Sequence, residues 1–255
     1  MILHRHKRER GKLKLRHSAA PTLAPIQVTG QRSRRVRILI VEDHVMFREV
    51  LRKVCVDELH HEVVGEAGDG RTAVGLGLTT SPDLVLLDLH LPNLDGFGVV
   101  DALRQIAPEI RVLLLSSHCD EYTVFRAEQA RVQGFVDKNT NTVGILKDAI
   151  TEVSKGHTYF SEAFKRLKAM RHRDPHSFDK LLTDREKSIL PLLGELLDDH
   201  EIAARLGVSI ATAEKHRFNI RRKLGLQTAA ELARYAREHG FTLNASRSGD
   251  GAMLP

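Results

Sequence analysis

Between residues 36 and 157 the chain alternates short, wholly apolar runs with longer segments whose apolar positions recur at helical spacing. The runs at 36–41, 63–64, 84–87, 112–115 and 135–136 predict strands, and the segments near 45–58, 70–78, 96–106, 121–131 and 141–154 predict helices. Five strand–helix repeats in sequence define an α/β domain, a five-stranded doubly wound parallel sheet with helices on both faces. Leu84-Val85-Leu86-Leu87 is apolar at every position, as a strand covered on both sides requires. The second helix carries the weakest signal, because Gly75 and Gly77 each lower helix propensity by about 1 kcal/mol relative to Ala.

Beyond Gly156 the pattern loosens into a basic stretch containing Pro and His, read as a linker over 158–179 with helical turns in 161–170. Four short helical patterns follow, near 184–197, 199–206, 210–224 and 228–239, with no strand signal among them. Short helices joined this tightly predict a small all-α helix-turn-helix domain over 180–241. Thr183 with Glu186 three residues on is a capping box, and Gly207 followed by Ser209 supplies a turn and the next N-cap. Residues 1–35 and 242–255 show no sustained period and are expected to be disordered tails.

Charge sharpens this division. Residues 1–35 hold ten Lys/Arg against Glu9 alone, whereas 36–157 hold twelve against nineteen Asp/Glu, so a basic tail precedes an acidic domain. The part after 157 is mildly basic and suited to a polyanion. The tail either adds salt-dependent affinity for DNA or reflects a start codon assigned too early, with initiation nearer Val28 or Val36. No stretch approaches the roughly 20 apolar residues of a membrane span, and the basic start lacks a signal-peptide core. Cys55 and Cys119 form no CxxC pattern, so a reducing cytoplasm is expected and a disulfide framework or structural zinc is not.

In open parallel sheets the functional crevice lies beyond the carboxyl ends of the strands. Strand one ends at Glu42-Asp43, strand three at Asp88, strand four at Ser116, and strand five leads to Lys138. Three carboxylates on one rim need a cation, and all-oxygen ligands with open water positions suit Mg²⁺. A metal-bound carboxylate beside an ammonium and a hydroxyl can attack a phosphoryl group, and Asp88, central and at the end of the most apolar strand, is the expected nucleophile. A phosphatase that relays through a second acid two residues on is disfavoured, since His90 stands there. The glycines of 65–70 lack the spacing of a nucleotide-binding fingerprint. His44, His90 and His118 sit near the pocket as rim residues, with tuning of the phosphoryl group's lifetime as the alternative role.

With these residues in place, 36–157 resembles a flavodoxin-like receiver domain. The resemblance implies that Glu42 and Asp43 are the acidic pair, Asp88 the phosphorylation site and Lys138 the invariant lysine. It further implies that the backbone carbonyl of His90 is a metal ligand and that Ser116 and Phe135 are switch residues. On phosphorylation Ser116 would move toward the phosphoryl group and Phe135 would turn inward, altering the face built from the fourth helix, fifth strand and fifth helix.

Residues 181–241 resemble the LuxR-type output domain, through Thr183 to Glu186, Glu201-Ile202-Ala203, Val208-Ser209, Thr212, His216-Arg217, Asn219-Ile220 and Lys223-Leu224-Gly225. The whole chain is similar to the NarL/FixJ class of response regulators. That resemblance implies a non-enzymatic, two-component transcription regulator, phosphorylated by a histidine kinase, that binds promoter DNA as a homodimer. It places helix 210–224 in the major groove, with Glu214, Lys215 and Phe218 near base edges and Lys215, His216, Arg217, Arg221, Arg222 and Lys223 near phosphates. Phe218 would touch a thymine methyl or else cover the helix pair, and Glu214 would accept from a cytosine amino group. The competing expectation is an interaction protein with a degenerate receiver, whose DNA binding ignores phosphate. Three departures stand out: Leu196 where a helix-ending Gly is usual, Asp198-Asp199 after it, which could repel phosphates, and Pro191 inside a helix.

Overall fold

A computed structural model describes residues 35–139 and 142–241; the basic tail, apart from Arg35, and residues 242–255 lie outside them. Six parallel strands lie in the order β2-β1-β3-β4-β5-β6. They are β1 (Arg37–Val41), β2 (Glu62–Ala67), β3 (Leu84–Asp88), β4 (Arg111–Ser116), β5 (Gly134–Asp137) and β6 (Tyr159–Phe160). The helices between them are α1 (Val45–Lys53), continued by a π-helical turn Val54–Glu58, then α2 (Gly70–Thr80), α3 (Gly96–Ile106), α4 (Glu121–Gln129) and α5 (Val143–Ser154). Side chains alternate across the pleat. Leu39, Val41, Val85, Leu87 and Leu114 face a core with α2, α3 and α4, whereas Ile38, Ile40, Leu84, Leu86 and Leu113 face α1 and α5. Every residue of β3 is buried, which places its terminal Asp88 at the centre of the rim.

The sheet has one strand more than the five expected. β6 holds only two residues, too few to show a period, and it pairs with β5 through Gly134↔Tyr159 and Phe135↔Phe160. The segment expected to be a loose linker is therefore built into the fold. After β6 come α6 (Glu162–Arg173), N-capped by Ser161, and the short α7 (Phe178–Leu181).

The output domain comprises α8 (Asp184–Gly194), α9 (Asp199–Leu206), α10 (Ile210–Lys223) and α11 (Ala229–Glu238). Its starts are set by local chemistry. Thr183–Glu186, Asp198–Glu201 and Thr228–Glu231 form reciprocal capping boxes, and the Ser209 hydroxyl accepts from the Thr212 amide. Gly207, at φ 64°, makes the left-handed turn between α9 and α10. Ile189, Leu190, Leu193, Ile202, Ala213, Ile220 and Leu232 fill the centre. Pro191 is buried and α8 runs through it without a break.

Leu196, the departure from the family's glycine, has φ 63° and is 62% exposed. A left-handed non-glycine residue costs about 1–2 kcal/mol, and Gly returns part of that as unfolded-state entropy. Leu196→Gly is therefore expected to stabilise the chain by about 0.5–1 kcal/mol, read from the denaturant midpoint. A lower midpoint would mean that the leucine side chain makes a contact worth more than the backbone strain.

Candidate functional site

At the carboxyl edge of the sheet, β1 delivers Glu42 and Asp43, β3 delivers Asp88, and the turn after β5 delivers Lys138. The Lys138 amide donates to the Ser116 carbonyl at 2.8 Å, tying the ends of β4 and β5 together. Its ammonium lies 2.7 Å from Glu42 Oε2 and 2.8 Å from Asp88 Oδ2. Glu42 is fully buried and Asp88 nearly so, while the Asp43 side chain is 36% exposed. Burial, and after it the neighbouring Asp88 charge, pushes the Glu42 carboxyl above its ordinary range, against the hydrogen bond from Lys138. Glu42, Asp43, Asp88, His90 and Lys138 line one cavity of about 440 Å³.

Glu42 and Asp88 share a single ammonium and Asp43 lines the same cavity, which leaves unbalanced negative charge, and ligand atoms of Glu42, Asp43 and His44 lie within 4.8 Å of one another. This oxygen-rich, partly open donor set fits a hard divalent cation. His90 and His118, with ring centroids 5.3 Å apart, close one side, and burial lowers the pKa of His90. Ser116 does not line the cavity. It is buried, its hydroxyl accepts from the His118 amide at 3.1 Å, and Ser117 takes the lining position. Phe135 points inward, fully buried, against the Phe164 ring of α6 at 5.2 Å.

The eight residues of α10 singled out from sequence fall into two groups. Arg217 is ion-paired with Asp199, Lys223 bonds the buried Glu186 at 2.6 Å, and Arg221 donates to the Gln227 carbonyl. These contacts brace α10 against its neighbours, and Asp198 and Asp199, expected to repel phosphates, serve here as a cap and as the Arg217 partner. Glu214, Lys215, Phe218 and Arg222 are exposed, and His216 is partly so.

The receiver and output parts meet along α4. Tyr122 packs on Phe241 at 4.7 Å, Phe125 on Phe178 at 5.2 Å, and the Tyr122 amide donates to the His239 carbonyl. Glu121 pairs with His239 at 3.1 Å. Arg171 of α6, only 4% exposed, sits between Glu128 of α4 and Asp179 of α7, and Lys168 and His172 also reach Glu128. At the seam Gly240 has φ 80°, and a Cβ built there would lie 2.0 Å from the Asp120 carboxyl carbon. None of these joining residues was expected from sequence. A basic helix reads as solvated surface, and nothing local marks a partner 43 residues away.

A carboxylate-lined crevice on a doubly wound sheet, followed by a capped helix-turn-helix, defines a receiver joined to a DNA-binding output domain. The chain matches the response regulator receiver domain over residues 38–150 and the luxR family of bacterial regulatory proteins over 180–236. It belongs to the LuxR-type response regulators, DNA-binding regulators of transcription rather than enzymes. It is 36% identical over 208 residues to the transcriptional regulatory protein MctR of Rhizobium johnstonii, covering 81% of this chain and 95% of that protein. The response regulator protein VraR of Staphylococcus aureus is 31% identical, with 81% and 98% covered. Among solved structures, RcsB of Salmonella enterica serovar Typhimurium bound to a promoter aligns with TM-score 0.57 over 79% of this chain and 97% of that one. At 22% identity that likeness shows the fold. Among the described residues no helix is long and apolar enough to cross a membrane.

Proposed function

We propose that Asp88 accepts a phosphoryl group from a partner histidine kinase and that the modification changes how the output domain engages promoter DNA. The observation that carries this reading is Lys138, held between Glu42 and Asp88 at 2.7 and 2.8 Å beside an open cavity. An Asp88 oxygen bonds to phosphorus while the donor's bond to it breaks, and the Lys138 ammonium offsets the incoming negative charge. Mg²⁺, held by Asp43, Asp88, Glu42 and the His90 carbonyl, would supply further neutralisation of the phosphoryl oxygens.

A phosphoryl group in the cavity competes with Glu42 and Asp88 for Lys138, and the Ser116 hydroxyl, which lies outside the cavity, would have to move toward it to donate. Lys138 and Ser116 sit on the strand ends next to Phe135, whose ring meets Phe164 of α6. Through α6 and α4 the change reaches the contacts that hold His239 and Phe241 at the end of α11. Freeing α11 would let two copies pair, so that two α10 helices read two half-sites of one promoter from the cytoplasm. Glu214, Lys215 and Phe218 face base edges, with His216 and Arg222 toward phosphates. Arg217, Arg221 and Lys223 act by bracing α10.

The test is DNA affinity of the full chain with and without Mg²⁺ and a small acyl-phosphate donor, at fixed salt. An increase of about tenfold or more is expected, equivalent to about 1.4 kcal/mol. Equal affinities would favour the phosphate-independent alternative.

A further inference from the structure

We propose that Phe218 selects a thymine in each DNA half-site through its 5-methyl group, with Glu214 one helical turn earlier selecting a cytosine through its amino group. This deepens the assignment of α10 as the DNA-reading helix and rests on it. Phe218 is 54% exposed, and no ring of another described residue packs against it. At about 100° per residue it lies roughly opposite the buried Ala213 and Ile220, at the middle of the outward arc. Glu214 lies about 40° to one side, with Arg222 and Lys215 about 40–60° to the other. A ring bordered by Glu214 and Lys215 is a poor centre for a protein interface, where Glu and Lys are depleted. It suits the major groove, whose phosphate walls attract the cations.

On the groove floor only thymine presents an apolar group, so an apolar reader gains free energy from thymine and none from the other bases. Glu214 can only accept. It is repelled by the acceptor edge of guanine and by the thymine carbonyl; of the two amino groups, that of adenine stands beside the N7 acceptor, which repels a carboxylate, so the cytosine amino group satisfies it best. No described cation pairs with Glu214, and its carboxylate is exposed. The two side chains are four residues apart, about 6 Å along the helix axis, and base pairs are about 3.4 Å apart. The thymine and the cytosine therefore fall within about two base pairs of each other.

The experiment begins by selecting binding sites from a random DNA pool with the full chain treated with Mg²⁺ and acyl phosphate. Each thymine of the selected site is then replaced singly by deoxyuridine, which removes only the methyl group, and affinity is measured for the wild type and for Phe218→Ser. Replacement at one thymine per half-site is expected to weaken the wild type about fourfold, as burial of one methyl predicts, and to leave Phe218→Ser unchanged. Glu214→Gln is expected to relax the preference for cytosine within two base pairs of that thymine. Deoxyuridine without effect on the wild type at every position, or an equal loss in Phe218→Ser, would overturn the proposal while leaving the DNA-reading role of α10 intact. Failure to enrich any sequence would overturn both. Because Phe218 is solvent-exposed, the variant should keep the wild-type melting temperature, which separates lost reading from lost folding.

Discussion

Asp88→Asn is expected to abolish phosphorylation: after incubation with Mg²⁺ and a small acyl phosphate, intact-protein mass should rise by one phosphoryl group in the wild type and not at all in the variant. Asn keeps the shape of the side chain and removes the charge that helps to push the Glu42 carboxyl up, so the Glu42–Lys138 bond survives and the pocket stays assembled. The effect should therefore be chemical rather than structural, with little change in melting temperature and complete loss of the donor-dependent gain in DNA affinity. A variant that still takes up one phosphoryl group would move the acceptor elsewhere, with the partly exposed Asp43 the next carboxylate on the rim.

The second large effect concerns the joint between the domains. Arg171→Met removes the one side chain among the described residues that bonds both Glu128 and Asp179, and it does so where the guanidinium is almost wholly shielded from water. Breaking a buried ion pair by deleting one partner costs about 3–5 kcal/mol, because the remaining charges lose their compensation. Glu128 keeps Lys168 at 2.9 Å, so the lower end, about 3 kcal/mol, is expected here. That is more than a hundredfold in the balance between docked and undocked output domain. The variant should be cut faster by protease between α6 and α7, and it should bind DNA without phosphodonor nearly as well as the treated wild type does with it. Unchanged proteolysis together with unchanged basal affinity would show that Phe125, Tyr122 and Phe241 hold the domains without the arginine.

How much of this was legible beforehand depended on the range of the interaction. The β3 strand is legible as an unbroken apolar run, and the rule that crevices form at strand ends places Glu42, Asp43, Asp88 and Lys138 on one rim from sequence alone. The helix starts at Thr183 and Ser209 were readable because a cap needs only its own next three residues. β6 carries no periodicity in its two residues, and the helical turns readable in 161–170 give no sign that α6 docks on α4 and α7, because that contact is long-range. The packing of Phe135 on Phe164 of α6 is not readable beforehand, because it joins residues that share no local pattern. The ion pairs of Arg217 with Asp199 and of Lys223 with Glu186 are likewise not readable beforehand, since the partners approach only through the fold.

The seam at Gly240 sets a limit on how this regulator can vary. With the Asp120 carboxyl 2.0 Å from where a Cβ would stand, a larger residue there must displace that carboxyl from the Thr123 amide it caps or part the seam. A one-carbon addition would press on that joint, so the balance between idle and committed forms is adjustable in steps as small as a methyl group, in a crevice that Gly240 lines together with His90 and His118.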